Sequence, residues 1–122
     1  MINDLKMSSK TGRRSDYSYG RTKELTHGRL VQNHVNGTEI KRTPGSRGPA
    51  DVTVYKNGSP TYDIQSKSSR ASSQSSNTVS QRDISKLISH SKERGTVPLI
   101  AESKGNHGVI RYAVSGRKMI SY

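Results

Sequence analysis

Large apolar side chains are scarce in this chain and come in short clusters separated by turn-forming residues, and that supply limits what it can fold into. Eight Ile, five Leu, eight Val and no Phe make 21 of 122 residues, about 17 per cent and below the floor of about 20 per cent usual for a folded chain. The clusters LVQNHV, DVTVY, YDI, ISKLI, VPLIA, VIRYAV and KMISY are each long enough for one strand or one helix face. A chain of this length built this way makes one domain with a thin core, which gains from burial against a second subunit.

Charge narrows the partners. Lys and Arg number 21 against 9 Asp and Glu, a net charge of +12. Residues 1–50 carry ten basic and four acidic groups and residues 51–122 eleven and five, so the excess is not confined to a tail. A field of that size on a small domain favours a polyanion, and nucleic acid leads because phosphate contacts release counterions. A membrane surface trails for want of a basic amphipathic helix, and solubility alone is the plainer account of the charge. There is no Cys, which removes disulfides, thiolate zinc sites and a cysteine nucleophile and suits a reducing compartment. With no apolar block resembling a signal or a span of roughly 20 residues, the expectation is a soluble intracellular protein.

The pattern along the chain predicts α/β order. Residues 1–15 are polar and basic and read as a mobile arm. Tyr17, Glu24, Gly28, Val31 and Val35 suit one helix face ended by Asn36-Gly37, with Gly28 a weak point. A strand over Glu39–Thr43 leads into the Gly/Pro-rich loop 44–49. Ala50–Tyr55 and Thr61–Lys67 form a hairpin. A three-residue loop, Asn57-Gly58-Ser59, pairs Lys56 with Pro60 and sets Asp51 opposite Gln65; a two-residue turn would set Asp51 against Ile64 instead. Alternation places Asp63, Gln65 and Lys67 on one side of the second strand. Ser68–Thr78 (SSRASSQSSNT) reads as a low-complexity loop, either a plain connector or a donor of hydroxyls to phosphate oxygens. Ser80 caps a helix over Gln81–Arg94 with Asp83 in its first turn, Ile84, Leu87 and Ile88 as its buried stripe, and Gly95 as its stop. Strands over Thr96–Ala101, Val109–Val114 and Lys118–Tyr122 complete a single small domain with a mixed central β-sheet flanked by helices.

Several chemistries drop out. His27, His34, His90 and His107 show no zinc-ligand spacing and read as surface or packing residues. There is no nucleophile elbow and no phosphate-binding loop followed by Lys and a helix, which leaves no place for a nucleotide cofactor. What remains is Asp51 followed, after a hairpin, by Gln65-Ser66-Lys67. A carboxylate and an amide oxygen facing each other across paired strands suit a divalent cation that keeps several waters, as magnesium prefers. A Lys one pleat further can stabilise charge developing on a phosphate.

Three ordered blocks give this triplet a context: Arg42 to Val52 (RTPGSRGPADV), Asp63 to Lys67 (DIQSK) and Val79 to Ala101 (VSQRDISKLISHSKERGTVPLIA). Together they resemble the archaeal Holliday junction resolvases of the PD-(D/E)xK nuclease superfamily, over most of residues 17–114. The resemblance implies a restriction-endonuclease-like fold over residues 16–122 and a homodimer that cuts four-way DNA junctions by paired nicks with Mg2+, or Mn2+ as substitute. It casts Asp51 as the metal-binding aspartate, Gln65 at a position usually held by glutamate, Lys67 as the catalytic lysine, and Glu24 as a helix glutamate completing the metal site. Arg42 and Ser46 match positions that approach the scissile phosphate, and Gln81 matches a polar position at the start of the second helix. Arg13, Arg14, Arg21, Arg47, Lys67 and Arg70 are the candidate phosphate contacts. Cytoplasm, of an archaeal cell or a virus-infected host, is the location it implies.

Gln65 is the departure. An amide keeps an oxygen ligand but loses a charge, so the cation binds more weakly unless Glu24 or Asp63 compensates. Two other readings stay open: a nuclease of the same superfamily acting on other DNA, in repair or restriction, and a basic DNA-binding protein with little or no catalysis.

Overall fold

The structure is a computed structural model that describes residues 16–43 and 48–122. The expected arm at 1–15, with Arg13 and Arg14, and the loop positions Ser46 and Arg47 lie outside the described residues. Helix α1 spans Asp16–Val35. Asn36 takes the left-handed conformation at φ 58°, and the Gly37 N–H returns to the Gln32 carbonyl at 2.8 Å, a closure that satisfies a helix's last carbonyls. Strands β1 (Glu39–Arg42), β2 (Val52–Lys56) and β3 (Ser59–Ser69) follow, then α2 (Gln81–Arg94), β4 (Val97–Lys104), β5 (His107–Tyr112) and β6 (Lys118–Ser121). All six strands form one sheet in chain order. β3 and β4 run parallel and the other neighbours antiparallel, because α2 supplies the crossover that a parallel pair requires. This is the mixed-sheet α/β domain that the sequence predicts.

The helices cover opposite faces. Val31 of α1 packs with Val52, Val54, Ile64, Leu99, Ala101 and Ile110, while Ile84 and Leu87 of α2 pack with Ala50, Val79, Ile100 and Ala113. Alternation along β4 sends Leu99 and Ala101 one way and Ile100 the other. The sequence counts Gly28 as a weakness of α1. In the fold it is what lets the helix lie on the sheet: a Cβ there would meet Val52 Cγ2 at 2.8 Å and Ile40 Cδ1 at 3.3 Å. α2 follows its sequence signals closely. Ser80 Oγ accepts the Asp83 N–H, and Gly95 ends the helix at φ 71°.

The β2–β3 hairpin corrects one expectation and keeps its consequence. The turn has two residues, Asn57 and Gly58, both at positive φ, as an Asn-Gly pair favours, and Lys56 pairs with Ser59 rather than Pro60. A register shift beside Tyr55 then restores the pairing to Val54↔Tyr62, Thr53↔Asp63 and Val52↔Ile64, since a β-bulge adds one residue to one strand. One step beyond Val52, Asp51 stands across from Gln65 after all.

The serine segment also differs from expectation. β3 runs two residues further, through Ser69, which is buried. Its carbonyl accepts the Gly105 N–H at 2.9 Å and the Tyr19 hydroxyl at 3.1 Å, and Lys104 Nζ reaches the Ser73 carbonyl at 2.9 Å. The start of the loop is thus fastened to α1 and to the β4–β5 turn, where the sequence predicts a low-complexity loop from Ser68 onward.

Candidate functional site

Asp51 precedes β2 and is held by three bonds from three segments. Its N–H donates to the Ile64 carbonyl at 2.8 Å, its carbonyl accepts the Thr43 N–H at 2.9 Å, and its Oδ2 accepts the Ser66 N–H at 2.8 Å. These contacts bracket Gln65, so β-ladder geometry brings Asp51 and Gln65 together. Burial pushes the Asp51 carboxyl up to about 6. The Ser66 N–H and Arg42 oppose that rise, while the nearby charges of Glu24 and Asp83 add to it. A carboxylate in this position is short of positive charge.

Glu24 reaches the same neighbourhood from α1. Its carboxyl is also raised, by burial, against the pull of Arg42, whose Nη1 lies 3.4 Å from Glu24 Oε1. Arg42, expected at the phosphate, is therefore engaged with a site carboxylate. Gln65 is half-buried and Lys67 exposed; alternation along β3 puts both on the α2 side with Asp63. Gln81 opens α2 on the exposed surface. Arg70, expected to contact phosphate, stacks on the Tyr19 ring with its guanidinium carbon 4.4 Å from the ring centre, about five residues or 16 Å along from Gln65.

Asp63 does not compensate for Gln65. It is fully buried and accepts Thr53 Oγ1 at 2.7 Å, Thr96 Oγ1 at 2.7 Å, Ser91 Oγ at 3.3 Å, and Arg94 through Nε at 3.0 Å and Nη2 at 3.3 Å. Burial alone would raise its carboxyl, but Arg94, Thr53 and Thr96 outweigh burial and hold it below the usual range. Its role is to tie β2, β3 and the end of α2 together.

Sequence reasoning missed four participants. Asp83 was read only as a first-turn helix acid, yet its charge reaches Asp51. Ser66, between Gln65 and Lys67, gives its N–H to Asp51 and its hydroxyl to His27 Nδ1 at 2.6 Å. His27 is buried, and its Nε2 meets the Tyr122 hydroxyl at 2.7 Å; burial, then Lys23, lowers its pKa to about 4, so the ring is neutral near pH 7. Glu102, the ladder partner of Lys67, accepts the Val79 N–H at 2.7 Å and pairs with Arg111 at 3.4 Å, fixing the approach to α2. The opposite parity of Ser66 on β3 was the one available signal.

Among the described residues no three His, Cys, Asp or Glu side chains gather to hold a metal ion. The oxygen donors around Asp51 are fewer: one carboxylate, one amide and a second carboxylate nearby. That sparse set suits a cation that keeps most of its waters, which is magnesium's habit.

The chain matches no protein-family model and no curated protein. Its fold matches the 1.6 Å structure of Hjc, a Holliday junction resolvase from the archaeal hyperthermophile Archaeoglobus fulgidus, with a TM-score of 0.50 and 13% identity, over 81% of this chain and 87% of that one. The domain has the nuclease fold of that resolvase. No helix among the described residues is long and apolar enough to cross a membrane.

Proposed function

We propose that this protein is a metal-dependent, structure-selective DNA endonuclease that cuts four-way junctions by paired nicks as a homodimer. One observation carries the reading: in a nuclease fold, Asp51 stands across the ladder from Gln65, two residues from Lys67, with its proton affinity raised by burial and by other carboxylates. Asp51 and Gln65, with Glu24 through water, are the residues to hold Mg2+, or Mn2+ in its place. A cation bound there supplies Lewis-acid activation of water and neutralises phosphate charge. The Ser66 N–H orients the Asp51 carboxylate, and Gln65 would contribute a neutral oxygen. Lys67, exposed at the next pleat, stabilises charge developing on the scissile phosphate. Glu24 holds Arg42 beside the site, where the pair sets the local field.

The net charge of +12 supports a DNA partner held through its phosphates. A two-fold protein matches a two-fold branched substrate with two sites spaced across it, and a thin core gains from the subunit interface. Because no side-chain set suggests base reading, recognition rests on shape and phosphate position. Ser46, Arg47, Arg13, Arg14, Gln81 and Arg70 are the proposed DNA contacts.

The test compares a labelled four-way junction with a linear duplex of the same sequence, with magnesium, with manganese and with chelator. Paired nicks in the junction, dependent on metal and absent from the duplex, are expected. Equal cutting of both substrates removes the junction reading and leaves a general nuclease. A second reading, DNA binding without cleavage, is favoured by the lack of charge on Gln65 and by the full engagement of Asp63; binding with no product under any metal condition would establish it.

A further inference from the structure

A cavity of about 320 Å³ opens on the α2 side of the sheet, between β1, β2 and the last turns of α2. Lys41, Thr53, Tyr55, His90 and Arg94 line it, and it extends to Ala50, the residue before Asp51. No carboxylate is among the described residues that line it. Beneath it, Asp63 accepts Arg94 Nε at 3.0 Å, and His90 Nε2 lies 3.8 Å from the same carboxylate. Arg94 uses its Nε and Nη2 on Asp63 and also engages the Tyr55 hydroxyl, and a guanidinium has five N–H donors. Lys41 Nζ stands 4.9 Å from the centre of the Tyr55 ring, and no ion pair engages it among the described residues.

Arg94 is held before any ligand arrives by a buried carboxylate, and Lys41 is an exposed ammonium beside the Tyr55 ring. Fixed donors lose little freedom on binding, which is where preorganised sites gain affinity. The volume lies at the small end of ligand cavities, which begin at about 300 Å³, and suits one nucleotide unit. A hydrated cation would meet the positive charges of Lys41 and Arg94. An anion with several acceptor oxygens satisfies the lining.

We propose that this cavity binds a phosphate ester of a DNA strand, and on the nuclease reading above, on which this inference rests, the backbone phosphate next to the one at Asp51. It would hold the strand in register while Lys67 meets the adjacent phosphate beside Asp51.

The test uses the full chain without divalent metal, so cleavage plays no part. A short 5′-phosphorylated single strand is titrated at fixed ionic strength while the NMR signals of the His90 ring and the Lys41 side chain are followed; inorganic phosphate is titrated separately. Saturable movement of both signals by the strand is expected. Lys41→Gln should weaken that binding about tenfold and lower its salt slope by about 0.7, one phosphate contact on a single strand, with Ile64 and Leu99 methyl signals unchanged as the check on folding. No movement, equal affinity in Lys41→Gln, or movement by inorganic phosphate but not by the strand would each overturn the proposal. The two readings also fail separately. If the strand fills the cavity but no metal supports cleavage, the nuclease reading falls and the phosphate site stands; if cleavage proceeds and the His90 and Lys41 signals stay still, the reverse holds.

Discussion

Asp51→Asn should make the metal-free protein more stable while ending its activity. Burial and the charges of Glu24 and Asp83 lift this carboxyl from 3.8 to about 6. At about 1.4 kcal/mol per pH unit, the gap is an upper bound of about 3 kcal/mol on the cost of keeping Asp51 ionised in the fold. Asp51 remains partly open to water, so screening reduces this to about 1–2 kcal/mol. The sign follows from linkage. A carboxyl whose folded pKa lies above its unfolded one destabilises the fold above pH 6, and the penalty fades as pH falls from 6 to 3.8. An Asn at 51 keeps an oxygen for the Ser66 N–H and carries no charge. Thermal unfolding in chelator at pH 7.5 should therefore show Asp51→Asn melting about 4–8 °C higher, with the difference gone near pH 4. Adding magnesium should reverse the order, because a ligand that binds only the folded wild type at a hundred times its Kd contributes about 2.7 kcal/mol. An Asp51→Asn protein that melts lower than wild type in chelator at pH 7.5 would refute the reasoning, since the carboxylate would then be a stabilising partner.

Other outcomes follow from the same geometry. Lys67→Ala should leave junction affinity within about twofold while cutting falls by about 10²–10³, read by gel-shift and single-turnover assays on one preparation. Gln65→Glu should restore the missing charge and move the metal midpoint for cleavage about tenfold lower, seen in a magnesium titration. Asp63→Ala should cost about 3 kcal/mol in urea unfolding at pH 7, because it leaves Arg94, Thr53 and Thr96 without their acceptor. That contribution is present above pH 3.8 and lost as pH falls through the depressed folded pKa of Asp63, so the variant and the wild type should converge in strong acid.

Where local chemistry decides, the fold was legible in the sequence. Ser80 and Gly95 mark the ends of α2 because a cap oxygen and a left-handed stop are local requirements. The facing of Asp51 and Gln65 was predicted, but from the wrong loop. Asn57-Gly58 makes the two-residue turn its φ preferences favour, and the register survives through a shift beside Tyr55 that no local pattern marks. What stayed hidden depends on contacts between distant segments. Gly28 reads as a helix defect until Val52 and Ile40 are seen against it. Asp63 and Gln65 share one strand face, yet only the former meets the end of α2, where Thr96, Ser91 and Arg94 consume it. Asp83, eighteen residues after Gln65, reaches Asp51 only because α2 returns over the sheet to start the parallel strand β4.

Manganese binding reports most directly on whether Asp51 anchors a metal site. Electron paramagnetic resonance of free Mn2+, titrated with the full chain, should show one ion taken up per chain at pH 7.5, weakened strongly in Asp51→Asn and tightened in Gln65→Glu. Uptake by the wild type no greater than by Asp51→Asn, with both chains folded, would contradict the assignment of this site to metal-dependent cleavage.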